Sequence, residues 1–109
     1  MRGWLRATQF LEQAIAIEDK QGDLRGKAID LLSLANVYAQ LDEFEKARDY
    51  AEASRAAYLR TTRGDDPDLA ALYLFLEQVY FKLIDVENAN IKMTQPKALQ
   101  YHQIPLLWL

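Results

Sequence analysis

Residues 28 to 59 read AIDLLSLANVYAQLDEFEKARDYAEASRAAYL, and apolar positions recur there at helical spacing twice. The polar break Leu41-Asp42-Glu43-Phe44 separates the two runs. In the first run Leu31, Leu34, Ala35, Val37 and Tyr38 leave polar residues mainly at Asp30, Ser33, Asn36 and Gln40. A helix apolar around most of its circumference needs neighbours on two sides, so this one is expected to be central. In the second run Phe44, Ala47, Tyr50, Ala51, Ser54 and Tyr58 form one stripe, with Arg48, Glu52 and Arg55 off it. The pattern therefore predicts two antiparallel helices joined by a short turn, one central and one half covered.

The order of residue types adds to the periodicity. Leu31, Leu34, Ala35 and Tyr38, then Glu45-Lys46-Ala47, then a small residue at Ser54, give L-x-x-L-A-x-x-Y, E-K-A and a small position seven later. This succession resembles the tetratricopeptide repeat, in its long-spacing variant similar to kinesin light chains and bacterial regulatory proteins of that family. The physical sense is direct: Ala35, Ala47 and Ser54 are small where helices cross closely, while Leu31, Leu34 and Tyr38 fill the space between. Leu59 stands where the family usually has proline.

Residues 4–20 carry A-x-x-F-L-x-x-A-I, which predicts an amphipathic helix with Ala7, Phe10, Leu11, Ala14 and Ile15 on its apolar face. Ala7 and Ala14 precede Ala47 and Ser54 by 40 residues each, so residues 4–21 resemble the second helix of a repeat whose first helix is missing. Gly22 supplies a helix stop and Asp23 an N-cap, although Gly26 occupies the place a capping box gives to glutamate. After Gly64, Asp66-Pro67 is a helix start, and 68–83 is apolar nearly all round, which predicts another central helix. Val79-Tyr80 repeats Val37-Tyr38 and Glu87-Asn88-Ala89 repeats Glu45-Lys46-Ala47, both at an offset of 42. Glu77 then falls on the small position of Ala35, so either the crossing opens there or the repeat is degenerate. Pro96 matches Ser54 and is expected to kink or break the second helix near Gln95, with a short helix over 96–102.

The expected organisation is one all-α domain of about five helices, a right-handed superhelical stack of antiparallel hairpins. It comprises an orphan helix at 4–21, a full repeat at 24–60, a degenerate repeat at 66–103 and an apolar tail at 104–109. The 109 residues, half of them hydrophobic, suffice for one core. Net charge is −3 with both signs interspersed, which offers no electrostatic footprint for nucleic acid, and no helix with clustered Arg and Lys could read DNA. Without cysteine, disulfides and thiolate metal sites are excluded. No apolar run reaches the ~20 residues a membrane helix needs and no signal peptide opens the chain, so a soluble, cytoplasmic protein is expected.

No catalytic set stands out, and no enzyme, cofactor or metal is expected. His102 is the only histidine and reads as a surface residue. Asp65, Asp66 and Asp68 could form a cation site, but cap a helix more simply. Glu77 could do acid–base work in an apolar setting, yet reads more simply as a residue that reaches to the edge or pairs with a lysine. Gly22, Gly26 and Gly64 lack phosphate-cradling spacing, and Arg48, Arg55, Arg60 and Arg63 read as a solvated strip.

What remains is recognition. The resemblance implies a concave groove lined by Ile29, Leu32, Asn36, Ala39 and Gln40 from one repeat and by Ala71, Leu74, Gln78, Phe81 and Lys82 from the next. Helical geometry agrees, since Ile29, Leu32, Asn36 and Gln40 share about a quarter of the circumference at ~100° per residue. In relatives an asparagine at the place of Asn36 hydrogen-bonds the backbone of a bound peptide, a task suited to a group that donates and accepts. Asn36 equally serves as a solvating residue of the polar stripe. Gln78 holds the same place in the next repeat, and Phe81 and Lys82 offer an apolar contact and a charge for a peptide carboxylate. The expected function is protein or peptide binding. The alternative is a structural or oligomerisation domain, or a fragment of a larger regulatory protein such as the sensor part of a transcriptional regulator. An uncovered orphan helix and an apolar tail favour association, and the missing cover is expected from another copy (a homo-oligomer), from the tail Ile104–Leu109 folding back, or from a larger parent protein.

Overall fold

The computed structural model describes residues 2–61 and 66–94. Among these residues the chain is all-helical, with four helices and no strand: α1 (Arg2–Gln21), α2 (Leu24–Gln40), α3 (Phe44–Leu59) and α4 (Pro67–Thr94). Each helix packs on its neighbours in chain order, α1 on α2, α2 on α3 and α3 on α4. No helix of the described residues is long and apolar enough to cross a membrane.

The first two helix ends share one stop. At the end of α1, Gly22 takes φ +71°, Asp23 N–H donates to Glu18 C=O (2.9 Å) and Gly22 N–H to Asp19 C=O (3.4 Å). At the end of α2, Asp42 takes φ +59°, Glu43 N–H donates to Tyr38 C=O (2.9 Å) and Asp42 N–H to Ala39 C=O (3.1 Å). Both are Schellman closures around one left-handed residue. Glycine reaches that conformation freely, and aspartate is among the few other residues that tolerate it. Asp23 then caps α2, its Oδ1 accepting from Gly26 N–H at 3.0 Å.

The small residues of the repeat pattern sit where the reading puts them. Ala28, Ala35, Ala47, Ala51 and Ser54 are fully sealed between helices. Ser54 Oγ donates to the Ala28 carbonyl at 2.6 Å, a bond between α3 and α2 that only a short side chain at a close crossing can make. Leu31 and Leu34 are buried, and Tyr38 stacks flat on Tyr50 with ring centroids 5.4 Å apart. Leu69, Leu72, Leu76 and Val79 form the inner stripe of α4, while Tyr58 of α3 is 1% exposed.

Three expectations change. In α1, Phe10 is exposed, and Thr8 is buried instead. At ~100° per residue Ala7, Thr8, Leu11, Ala14, Ile15 and Glu18 cluster on one side, and Phe10 lies a quarter turn away. Secondly, α4 continues unbroken through Thr94, where a turn after Leu83 was expected. The offset of 42 that aligns Val79-Tyr80 with Val37-Tyr38 places Ile84 on Asp42, the residue with positive φ. A β-branched side chain resists that conformation by about 1–2 kcal/mol, which disfavours this stop, and the helix runs on. Thirdly, α4 is not central: Tyr73, Leu74, Phe81 and Ile84 are exposed, because no described helix folds back over it, and Glu77 is exposed at an open position, one of the two outcomes expected for it. The break near Gln95, the helix over 96–102 and the tail over 104–109 lie outside the described residues.

Candidate interaction groove

α4 packs chiefly on α3, and it approaches α2 at two places, one near each end of α2, with the N-terminal ends of the two helices on the same side. At their N-terminal ends the Arg25 guanidinium reaches across to Asp66 (2.7 Å) and Asp68 (3.2 Å). Asp66 also accepts from Asp68 N–H at 2.9 Å, so one carboxylate caps α4 and ties it to α2. The hydrogen bond from Arg25, followed by the one from Asp68 N–H, holds the Asp66 carboxyl below the usual carboxylate range. Arg25 lies 5.9 Å over the Tyr58 ring, which joins the same corner to α3. Towards the C-terminal end of α2, Ala39 and Phe44 face Phe75, Gln78, Val79 and Lys82 across a recess of about 130 Å³. The two helices are therefore in register at an offset of about 40 residues at both ends.

Most of the residues assigned to the groove are on the surface. Ile29, Asn36 and Gln40 on α2 are exposed and Leu32 is half-buried against the core. Asn36 Nδ2 donates to the Leu32 carbonyl at 3.3 Å, a long bond back along its own helix that a ligand could replace. On α4, Gln78 and Lys82 are brought together with Ala39 at the recess. Leu74 and Phe81 are not part of that recess; they lie further round α4 on its outer face, 62% and 64% exposed, and Ala71 is exposed as well. The structure thus assembles Ala39, Gln78 and Lys82 in one place and sets Leu74 and Phe81 apart.

The other candidates resolve simply. Asp66 and Asp68 are engaged by Arg25, and no cluster of three or more His, Asp or Glu suited to a metal ion occurs among the described residues. Asp65, Arg63, Gly64 and His102 lie outside them. Arg48 pairs with Asp49 (3.1 Å) and Arg55 with Glu52 (2.7 Å), and Arg60 is exposed.

Sequence reading missed Glu18. Its Oε1 is sealed from solvent and accepts no hydrogen bond, while Asp19, Asp23 and Asp30 stand close enough to act on it. Burial first, then a hydrogen bond to Asp30, then the charges of Asp30, Asp23 and Asp19 push its pKa up to about 7. A proton on the carboxyl supplies the donor that Asp30 can accept. Asp19 is itself paired with Lys27 at 2.6 Å. Gly26 makes room for this arrangement: a Cβ there would collide with the Glu18 and Asp23 carboxylate oxygens. The signal was available, because Glu18 follows Ala14 and Ile15 by four and three residues on the stripe that faces α2.

Compared with protein-family models, curated proteins and solved structures, the chain finds no match in any of the three, so the repeat resemblance rests on its own residue pattern.

Proposed function

We propose that this chain is a tetratricopeptide-like binding module, non-catalytic, that holds a segment of a partner protein along the trough between α2 and α4. One observation carries the reading: the two helices run in parallel register and open onto a shared recess where Ala39, Gln78 and Lys82 converge, one turn from Asn36. The Asn36 and Gln78 amides would pair with the ligand backbone, since each both donates and accepts. Lys82 would meet a carboxylate of the peptide.

The test begins with peptides selected from a random display library on the immobilised chain, followed by titration of the recovered peptides. Each lost hydrogen bond removes roughly 1 kcal/mol, and more when one partner is charged. Asn36→Ala with Lys82→Ala should therefore weaken binding at least about tenfold. Recovered peptides that bind the double variant as tightly as the parent would overturn the groove assignment.

A second reading is supported by α1, whose Leu5, Phe10 and Ile17 are exposed on the helix farthest along the chain from α4. Apolar surface of this kind suits association, either with another copy or with a preceding hairpin of a larger regulatory protein. Sedimentation across a concentration series tests it, and a monomer at every concentration would remove the self-association form.

A further inference from the structure

We propose that residues 104–109 of this same chain seat on the outer apolar face of α4. That face is made by Tyr73, Leu74, Phe81 and Ile84, which share about 100° of the helix circumference and are each exposed by 44% or more. Its exposure follows from the failed turn at Ile84, since residues that would otherwise fold back as a second helix extend along the axis of α4 instead.

Three observations select the occupant. The first is reach. Ile104 follows Thr94 by ten residues, an extended span of up to about 33 Å. The face lies between ~15 Å (Ile84) and ~32 Å (Tyr73) back along α4 from Thr94 at 1.5 Å per residue. The second is composition: Ile104, Leu106, Leu107, Trp108 and Leu109 supply apolar side chains to match, and Pro96 opposes continuation of the helix beyond α4. The third is charge. Residues 104–109 carry no charged side chain and 95–103 no acidic one, so nothing in the segment repels Glu77, which stands in the middle of the α4 face, and the one lysine, Lys97, lies in the connection. A tethered segment also acts at roughly millimolar effective concentration, which a second copy matches only at comparable protein concentration. The inference stands on the exposure of α4 and is independent of the peptide-binding reading.

Trp4 and Trp108 are the two tryptophans, so Trp4→Phe leaves Trp108 as sole reporter in the full chain. Its emission should be blue-shifted and resistant to acrylamide at every protein concentration. Phe81→Gln with Ile84→Gln, both exposed positions given helix-compatible side chains, should shift the emission to the red and raise the quenching constant several-fold. Phe10→Gln on α1 should leave both unchanged. Solvent-like emission in the Trp4→Phe protein would overturn the proposal. Protection that grows with concentration would assign the face to a second copy, and loss of protection in Phe10→Gln would assign the segment to α1; either result also overturns it. Helical circular dichroism of each variant establishes that the fold is retained.

Discussion

Glu18→Gln tests, in one substitution, the protonated carboxyl that α1 places beside Asp23 and Asp30 at its packing with α2. The Glu18 carboxyl titrates at about 7 in the folded chain, against 4.5 for an unperturbed group. Between those two values the unfolded chain has released a proton that the folded chain still holds. Stability from this group is therefore fully present below pH 4.5, falls as pH rises towards 7, and is level above that. At about 1.4 kcal/mol per pH unit the loss is capped near 3.4 kcal/mol. One carboxyl oxygen is sealed but the side chain as a whole is only half-buried, so solvent relaxes much of that, and ~1–2 kcal/mol is expected. Glutamine keeps the shape, carries no charge, and can donate to Asp30 as the protonated carboxyl does. Urea unfolding at constant ionic strength should find Glu18→Gln and the parent alike at pH 4.5. At pH 8 the variant should be more stable by ~1–2 kcal/mol, which for a domain of this size raises Tm by roughly 4–16 °C. Asp30→Asn removes a hydrogen-bond partner and charge that raise the folded-state pKa, so the effect should be smaller and level off at a lower pH, with its onset unmoved. A difference between variant and parent that stays constant from pH 4.5 to 8 would refute the reasoning, as would a Gln variant that is less stable at pH 8.

Ser54→Ala removes the donor to the buried Ala28 carbonyl and should destabilise the chain by ~1–3 kcal/mol, read from the urea midpoint. Asp42→Ile imposes on the α2–α3 turn the side chain found at residue 84, and should lose about 1–2 kcal/mol in the same assay. The converse change, Ile84→Gly, leaves an exposed helix interior with a flexible point and should increase hydrogen exchange in α4 around residues 82–88.

Local pattern settled most of the secondary structure. Helical spacing, Gly22, Asp23 and the Asp66-Pro67 start define α1, α2 and the beginnings of the rest, because periodicity and capping act within a few residues. The small positions Ala35, Ala47 and Ser54 were legible too, since a close crossing admits little else. Three matters needed the tertiary structure. Whether a turn forms depends on one backbone angle, and the positive φ of Asp42, which makes an isoleucine at the aligned position 84 unfavourable for a stop, is visible only in the folded chain. Which flank of an amphipathic helix is covered depends on where its neighbour lies, which put Phe10 outside and Glu18 inside. The resemblance assigns the candidate groove residue by residue. Only the approach of α2 to α4 separated Gln78 and Lys82, which face Ala39, from Leu74 and Phe81, which face away. Sequence spacing carries the angle of a side chain about its own helix axis, and the direction of the next helix is set by packing between residues far apart in the chain.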